Sequence, residues 1–200
     1  MEQNTLTLNE GLKVDQKGSQ NKVKWGKVTG ADGYQVYIQY CGKKFTKTPT
    51  VTNEVATNTS ATVSKINGKK LNLKKNFKIY IEAYKLVNGK KVVVGETVVA
   101  HIVGRKNTKY TNVKAVKVQK TKCTLTVGKS AKIKARTVLV EKKKKQLTNA
   151  HAQEFRYASS DRSIAVVNAQ GTITAKKAGT CTVYVYARNG YTKKVKVTVK

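Results

Sequence analysis

Few side chains in this 200-residue chain are suited to acid–base, nucleophilic or metal chemistry, and they are widely separated. The two histidines, His101 and His151, fall in different halves of the sequence. Ser159 and Ser160 have no G-x-S-x-G frame around them, which is the turn that presents a nucleophilic serine to its base. A Ser–His pair therefore has little support. We expect a protein that is not an enzyme and that needs no cofactor.

The sequence predicts no metal site. Its three cysteines, Cys41, Cys123 and Cys181, form neither a C-x-x-C motif nor a local cluster with histidine, so zinc is not expected. Asp161 lies in a region poor in acidic residues, so calcium is not expected there either. Cys123 and Cys181 share the second half and leave two alternatives. They form a disulfide, or Cys181 is a buried free thiol, which its place on an apolar strand face favours.

The charge of the chain is strongly positive. It holds 41 lysines and arginines against 10 acidic residues, for a net charge of +31, and residues 105–200 account for 24 of the basic and three of the acidic residues. Such a field attracts polyanions, including cell-wall teichoic acid, acidic glycan and nucleic acid. The alternative is that the lysines only keep a secreted protein soluble, and composition does not choose between the two.

The distribution of apolar residues indicates strands throughout. The hydrophobic share is 39% and consists mostly of Val, Ile, Leu and Tyr, which favour strands. No window of 12 residues keeps a helical spacing of apolar positions, and no apolar run is long enough to span a membrane. The opening residues, MEQNTLTLNEG, do not have the pattern of a signal peptide. The protein is then either cytoplasmic, or exported with its signal upstream of this segment.

The longest regular stretch runs from residue 155 to residue 186. Four short apolar runs follow one another there, separated by turn residues at Ser160-Asp161, Asn168 to Gly171, and Ala178-Gly179. Short strands with a turn at this spacing are typical of an antiparallel β-sandwich. In the fourth run we expect Val183 and Val185 to point inward and the intervening tyrosines to point outward.

Two runs in the first half also alternate clearly between apolar and polar residues. The predicted inward residues are Tyr34, Val36, Ile38 and Tyr40 in one run and Phe77, Ile79, Ile81 and Ala83 in the other. Tyr37 and Tyr80 are expected on the opposite face, where they pair across neighbouring strands. The dipeptide Asn88-Gly89 between two β-rich runs predicts a tight hairpin.

The first half carries a lone tryptophan and a tyrosine-rich strand in a recognisable order. Trp25 lies on the second strand, Gly30 to Tyr37 lead into the third, and Leu71 is followed six residues later by Phe77. Residues 10–103 resemble a fibronectin type III domain through these features. Because Trp25 shares a strand face with Val23 and its neighbours are lysines, we expect it to be a core residue and not a platform for stacking sugars. In the family a tyrosine hydroxyl ties the strand corner near this leucine, and Phe77 has no hydroxyl to offer.

The second half carries a longer series of motifs in a fixed order. They are Leu125 to Gly128, Tyr157 to Asp161, Ile164 to Val167, Gly171 to Ala175, Ala178 to Thr180, and a final strand with valine at every second position. Residues 113–200 resemble the bacterial immunoglobulin-like domain, group 2. Members of that family occur in surface proteins and in many secreted proteins of Gram-positive bacteria, so the resemblance implies a secreted or cell-surface location.

Together these patterns predict an all-β protein of two tandem immunoglobulin-like antiparallel β-sandwiches joined by a short linker. We expect residues 1–104 to form the fibronectin type III-like sandwich, residues 105–112 the linker and residues 113–200 the bacterial immunoglobulin-like sandwich. The function implied by both resemblances is a non-enzymatic spacer, display stalk or adhesion unit of a larger exported protein. Its partners would be the other domains of that protein or a host surface protein.

The alternative function is polyanion binding by a lysine- and tyrosine-bearing face of the second sandwich. The residues expected to form that face are Lys142, Lys143, Lys144, Lys145, Tyr184, Tyr186, Lys193, Lys194 and Lys196. Stacking on tyrosine combined with phosphate contacts is how proteins bind single strands. Because no recognised nucleic-acid motif is present, sequence-specific DNA binding is not expected. A further alternative is a carbohydrate-binding sandwich, which needs a cleft of exposed aromatic side chains.

Overall fold

The computed structural model describes Leu6, Thr7 and residues 11–200, with side chains from residue 11 onward. Regular structure in these residues consists of β-strands, in agreement with the all-β prediction. The first sandwich contains β1 (Leu6–Thr7), β2 (Leu12–Lys17), β3 (Gln20–Trp25), β4 (Gly33–Tyr40), β5 (Val51–Asn53), β6 (Ser60–Val63), β7 (Lys65–Ile66), β8 (Lys69–Lys70), β9 (Phe77–Val87), β10 (Lys90–Glu96) and β11 (Ala100–Ile102). The part of the predicted opening strand at residues 8–10 lies outside the described residues.

The second sandwich follows after residues 103–112, which we call the connecting segment. Its strands are β12 (Val113–Val118), β13 (Lys122–Leu125), β14 (Ser130–Lys132), β15 (Ala135–Leu139), β16 (Phe155–Ser159), β17 (Ala165–Val167), β18 (Thr172–Ala175), β19 (Gly179–Ala187) and β20 (Thr192–Val199). The four strands predicted between residues 155 and 186 are β16 to β19. None of the described residues belongs to a helix of the length and apolar character that crossing a membrane requires.

The first sandwich packs two sheets around one core. One sheet has the order β1-β10-β9-β4-β5, with β11 also paired to β9, and the other has the order β2-β3-β6. The inward faces predicted for β4 and β9 are confirmed, because Val36, Phe77, Ile79 and Ile81 are fully buried. Trp25 is buried as well, and its ring meets that of Tyr34 edge-on at 5.3 Å between centroids. The tryptophan is therefore a core residue, as the sequence predicts.

The hairpin between β9 and β10 has the predicted geometry. Asn88 and Gly89 have φ angles of 49° and 73°, which are the two left-handed residues of a type I′ turn, and Val87 pairs with Lys90 across it. This turn twists in the same sense as the strands that it joins, so it sets the register of the longest strand of the first sheet.

The strand corner near Leu71 is closed by a hydroxyl from another strand. The Asn72 N–H donates a hydrogen bond of 2.8 Å to the hydroxyl of Tyr40 at the end of β4, while the Leu71 N–H donates to the Ser64 carbonyl at 3.0 Å. Phe77 is fully buried and contributes packing only. A tyrosine next to the corner in space thus provides the hydrogen bond that the sequence position of Phe77 cannot.

Replacing Tyr40 by phenylalanine tests this assignment. We expect Tyr40→Phe to lower the free energy of unfolding by about 1 kcal/mol, because one hydrogen bond is lost while the ring packing is kept. Urea unfolding followed by circular dichroism measures the change. Tyr110→Phe, outside the corner, serves as the comparison, and equal unfolding midpoints for the two variants would contradict the role of the Tyr40 hydroxyl.

The second sandwich also packs two sheets, with a third pair of strands alongside. The sheets have the orders β13-β20-β19-β16 and β14-β18-β17, and β12 pairs with β15. Its core is separate from that of the first sandwich and includes the buried side chains of Ile173, Val183, Val185 and Val197. Alternation along β19 therefore sends the valines inward, as predicted.

The position of β20 decides between the two alternatives for Cys123 and Cys181. Both residues pair with Val197, Cys123 from β13 on one side and Cys181 from β19 on the other. Two strand spacings separate their Cα atoms by about 9–10 Å, which exceeds the roughly 7 Å that a disulfide can span. All three cysteines are free, and Cys181 is a buried thiol in the core.

Candidate functional site

The end of β19 lies at the joint between the two sandwiches. Every residue from 183 to 190 is buried, although alternate residues of a strand in an isolated sandwich would face solvent. The first sandwich covers this end, since the His101 N–H donates to the Arg188 carbonyl at 2.7 Å and the Leu12 N–H donates to the Gly190 carbonyl at 3.3 Å. We call this contact region the joint.

Arg156 on β16 bridges the two sandwiches at the joint. Its guanidinium donates to the Val99 carbonyl of the first sandwich and to the carbonyls of Ala187 and Arg188 in the second, the last two at 3.2 and 3.1 Å. Burial lowers the pKa of Arg156 to about 10, and the positive charge of the neighbouring Arg188 acts in the same direction. The side chain therefore remains charged at neutral pH. A charged fork that satisfies three carbonyls fixes their relative positions.

Arg188 holds the loop at residues 147–154 against the joint, and Asn189 bonds to β12. Arg188 donates through Nε to the Ala152 carbonyl at 2.8 Å and through Nη2 to the Asn149 side chain at 2.5 Å. The Asn189 amide donates to the Val113 carbonyl at 2.7 Å. This turn therefore contacts both the first strand of the second sandwich and a long loop of the same sandwich.

The connecting segment is bonded to both sandwiches. The ends of the segment are held together by Asn112, whose side chain accepts from the Val103 N–H and donates to the Val103 carbonyl, both at 2.8 Å. Asn107 donates to the Lys74 carbonyl at 3.2 Å, while its own carbonyl accepts from Lys144 at 2.9 Å. The residues expected to form a linker thus have fixed partners on either side.

Cys41, His101 and His151 come together at the joint. Cys41 follows β4, His101 lies on β11, and His151 belongs to the loop at residues 147–154 of the second sandwich. The Cys41 sulfur lies 3.6 Å from Nδ1 of His101, and the two imidazole rings are 6.0 Å apart between centroids at 72°. The potential ligand atoms of these half-buried residues all lie within 4.8 Å of one another. Sequence reasoning missed this cluster, because its members come from distant segments and no local spacing connects them.

The surroundings of the cluster favour uncharged side chains. Burial lowers the pKa of His101 to about 4, and the cationic Arg156, the neighbouring His151, Lys78 and Arg188 act in the same direction. Burial raises the pKa of the Cys41 thiol to about 11, against the opposing effect of Lys78. At neutral pH the cluster therefore presents neutral imidazoles next to a thiol.

The low pKa of His101 predicts a loss of stability in acid. Its folded-state pKa of about 4 lies below the ordinary value of 6.5, so the unfolded chain binds more protons between these two pH values. Stability is complete above pH 6.5 and falls as the pH is lowered toward 4. Allowing for solvent screening of the half-exposed ring, we expect His101 to contribute about 2 kcal/mol to this loss.

Urea unfolding at pH 7 and pH 4.5 measures the effect of His101. The difference in the free energy of unfolding between the two pH values should be smaller in His101→Gln than in the unaltered protein. An equal difference in both proteins would show that the imidazole is protonated as readily in the folded chain as in the unfolded one.

The two tyrosines of the predicted polyanion face do not point into solvent. Tyr186 is fully buried and Tyr184 is 8% exposed, so the prediction that both are available to a ligand is wrong. Tyr186 pairs with Arg156, whose guanidinium donates to the Val99 carbonyl of the first sandwich, so this end of β19 adjoins the joint and not open solvent. Their rings lie 6.1 Å apart, and Lys194 Nζ lies 5.8 Å from the Tyr184 centroid. A base or sugar has no open ring here on which to stack.

The lysines of the predicted face are mostly on the surface. The exposed members are Lys142, Lys143, Lys145, Lys193, Lys194 and Lys196. Lys144 is half-buried and forms a 2.9 Å ion pair with Glu141 in addition to its bond to the connecting segment. Lys144 thus has a structural role, whereas the others present charge to solvent.

The aromatic side chains on the outer face of the first sheet cover one another. Tyr37 and Tyr80 stack at 4.6 Å with an angle of 4° between the rings, which confirms the predicted cross-strand pair. Phe45 adds an edge contact on Tyr80 at 4.7 Å, and Tyr37 is only 6% exposed. The cluster therefore closes over the sheet instead of forming an open cleft.

Two antiparallel sandwiches in tandem, held by a bonded joint, make the protein a pair of immunoglobulin-like modules. Residues 112–199 match the family model for the bacterial Ig-like domain, group 2. No match was found among curated proteins.

Solved structures with similar chains include three modular proteins. The first is a C-terminal 282-residue fragment of intimin in complex with the intimin-binding domain of the translocated intimin receptor (16% identity, TM-score 0.31, 94% of this chain and 63% of the fragment). The second is domains 4 and 5 of the S-layer protein SbsC, with 16% identity, a TM-score of 0.37, and coverage of 98% of this chain and 93% of that one. The third is the central fibronectin-III array of RIM-binding protein, with 15% identity, a TM-score of 0.35, and coverage of 96% of this chain and 69% of that one. This chain spans less than two thirds of the intimin fragment.

Proposed function

We propose that this chain is a rigid two-sandwich spacer that displays another part of a larger exported bacterial protein. In this proposal the first sandwich is a fibronectin type III domain, the second is a bacterial immunoglobulin-like domain of group 2, and neither catalyses a reaction. The single observation that carries the proposal is the bonded joint. Support for the second assignment comes from the family model that matches residues 112–199.

The joint matters because tandem domains move relative to each other unless their interface is extensive. Here Arg156 donates to carbonyls of both sandwiches, and main-chain hydrogen bonds join Leu12 to Gly190 and His101 to Arg188. A spacer that keeps its two ends in a fixed relation needs such contacts, whereas a flexible tether has no use for them. The joint thus favours a rigid display element over a loose linker.

Nuclear magnetic resonance relaxation tests the rigidity on which the proposal depends. Backbone amides of residues 12–102 and 113–199 should report one common rotational correlation time. A clearly shorter time for either group would mean that the sandwiches tumble independently, and the rigid-spacer proposal would then fail.

A display experiment tests the function itself. The chain is placed between a bacterial cell-wall anchor and a peptide epitope, and antibody access to the epitope is compared with that of a Gly/Ser linker of equal residue number. We expect the chain to hold the epitope farther from the surface, because flexible linkers coil back on themselves. Direct retention of the chain on host cells without any partner domain would instead favour the adhesion unit.

Polyanion binding is the second candidate, and the exposed lysines of the second sandwich favour it. Four consecutive basic residues, Lys142 to Lys145, lie in one loop, and Lys193, Lys194 and Lys196 lie on β20. Since Tyr184 and Tyr186 are buried, the contact would be electrostatic, with no stacking of bases. Teichoic acid and acidic glycans are polyanions of the required kind.

Salt-dependent retention separates a polyanion site from general positive charge. A specific site predicts that a variant with Lys142, Lys143 and Lys145 changed to alanine, and Lys144 kept for its structural contacts, elutes from immobilised teichoic acid at a much lower salt concentration. The slope of binding against salt reports the number of contacts, at roughly 0.9 per phosphate for duplex DNA and less for other polymers. The matched control changes three exposed lysines of the first sandwich to alanine, namely Lys43, Lys44 and Lys69. Equal losses in both variants would leave only non-specific attraction.

A further inference from the structure

We propose that Cys41, His101 and His151 bind one thiophilic metal ion, with Cu(I) the preferred ion, and that this ion links the two sandwiches. Cys41 and His101 belong to the first sandwich and His151 to the loop at residues 147–154 of the second. Their potential ligand atoms lie within 4.8 Å of one another and are half-buried. Neither the family match nor the proposed spacer function includes such a site.

The distances fit one shared ion. A thiolate sulfur at about 2.3 Å and an imidazole nitrogen at about 2.0 Å from the same ion are about 3.5 Å apart. The Cys41 sulfur and Nδ1 of His101 are already 3.6 Å apart. The remaining separations are at most 4.8 Å, so they have to shorten by no more than about 1.3 Å, which the His151 side chain in its loop achieves by changing its rotamer.

Binding at this site requires one deprotonation. Each imidazole in its neutral form offers a nitrogen lone pair to the ion. Only the proton of the Cys41 thiol has to leave when the metal–sulfur bond forms, and it is released to solvent. The two neutral imidazoles and the resulting thiolate carry a total charge of −1.

The charge of the surroundings favours a monovalent ion. The charged groups that act on His101 are Arg156, Lys78 and Arg188, all of them cationic. A Cu(I) ion with one thiolate is neutral, whereas a Zn(II) ion with the same ligands keeps one positive charge next to these three cations. Thiolate and imidazole are both good ligands for Cu(I), so ligand softness and local charge agree.

Metal binding at this place would strengthen the joint. The ion would connect the end of β4 and β11 in the first sandwich to the loop that Arg188 holds in the second. An ion that binds only the folded chain raises its apparent stability with concentration. The metal site does not depend on the spacer proposal, because the rigidity of the joint and the binding of metal are measured separately. Either one can fail while the other holds.

Anaerobic titration with Cu(I) tests the proposal directly. The full chain is titrated in competition with a coloured Cu(I) chelator, and one ion per chain is expected. Cys41→Ser and His151→Asn should each weaken binding by at least about tenfold, because each removes a direct ligand. Cys123→Ser is the matched control, since Cys123 is also a half-buried free thiol, and its affinity should not change. Unchanged binding in Cys41→Ser, or no binding at a one-to-one ratio, would overturn the site.

Two further measurements keep the result independent of folding. X-ray absorption of the Cu(I) complex should show one sulfur and two nitrogen ligands, and any other ligand set would overturn the assignment. Addition of Cu(I) should raise the melting temperature of the unaltered chain but not that of His151→Asn, whose residue lies in a loop. A parallel Zn(II) titration tests the charge argument, and tighter binding of Zn(II) than of Cu(I) would refute the preference for a monovalent ion.

Discussion

Replacing Gly190 by alanine is expected to lower the free energy of unfolding by about 2–4 kcal/mol. Gly190 has a φ of +85°, where a Cβ atom is strained. That atom would also lie 2.9 Å from the Leu12 carbonyl oxygen and 3.3 Å from the Ala100 Cβ, both in the first sandwich. The substitution therefore forces the sandwiches apart as well as straining the turn. Urea unfolding measures the cost, and chemical shifts of the Leu12 and Ala100 amides report the movement.

Gly128→Ala separates the two contributions to this cost. Gly128 lies in the same sandwich with a nearly identical φ of +80°, but no atom lies within 4 Å of the Cβ position. The control should therefore lose only the backbone part, about 1 kcal/mol. If both variants lose the same stability and the Leu12 and Ala100 amides do not shift, the close approach at the joint has no energetic weight.

Alternation in the sequence predicts the cores because the side-chain period of a strand is fixed. The inward faces of β4, β9 and β19 follow from period two alone, and Asn88-Gly89 predicts its hairpin because few other dipeptides tolerate two left-handed residues. Such features depend on neighbours in the sequence. They can be derived without knowing what lies across the molecule.

The outer face of β19 shows where the same reasoning fails. Alternation correctly places Tyr184 and Tyr186 opposite the core valines, but it does not reveal that both are buried near the end of β19 that meets the first sandwich. Similarly, the polar composition of residues 105–112 indicates a linker, although Asn107 bonds it to both sandwiches, through its amide to Lys74 and through its carbonyl to Lys144. Polar residues suit a solvated loop and a hydrogen-bonded joint equally well, so composition cannot distinguish the two.

The cluster at the joint was hidden for a related reason. Cys41, His101 and His151 meet only when two strands of the first sandwich and a loop of the second are placed together. Motif searches detect ligands that share one turn or one helix, because the backbone fixes their spacing. A site assembled between domains has no such spacing, and the relative placement of the domains is what creates it.

Replacing Arg156 by methionine is expected to have the largest effect on coupling between the sandwiches. The variant keeps much of the side-chain volume but leaves the carbonyls of Val99, Ala187 and Arg188 without their charged donor. Leaving a buried acceptor without its charged hydrogen-bond donor costs about 1–3 kcal/mol, so we expect a total loss of about 3 kcal/mol for the three carbonyls. The stability of Arg156→Lys should lie between those of the unaltered chain and Arg156→Met. An ammonium group keeps the charge but lacks the planar fork that reaches three acceptors.

The single tryptophan makes the coupling measurable. Trp25 fluorescence reports unfolding of the first sandwich alone, whereas circular dichroism reports both sandwiches. In the unaltered chain the two signals should change at the same urea concentration, because the joint makes the sandwiches one cooperative unit. In Arg156→Met the transitions should separate. The exposed Arg162 supplies the control, as Arg162→Met should stay within about 0.5 kcal/mol with coincident transitions. Coincident transitions in Arg156→Met would mean that other contacts couple the sandwiches without this guanidinium.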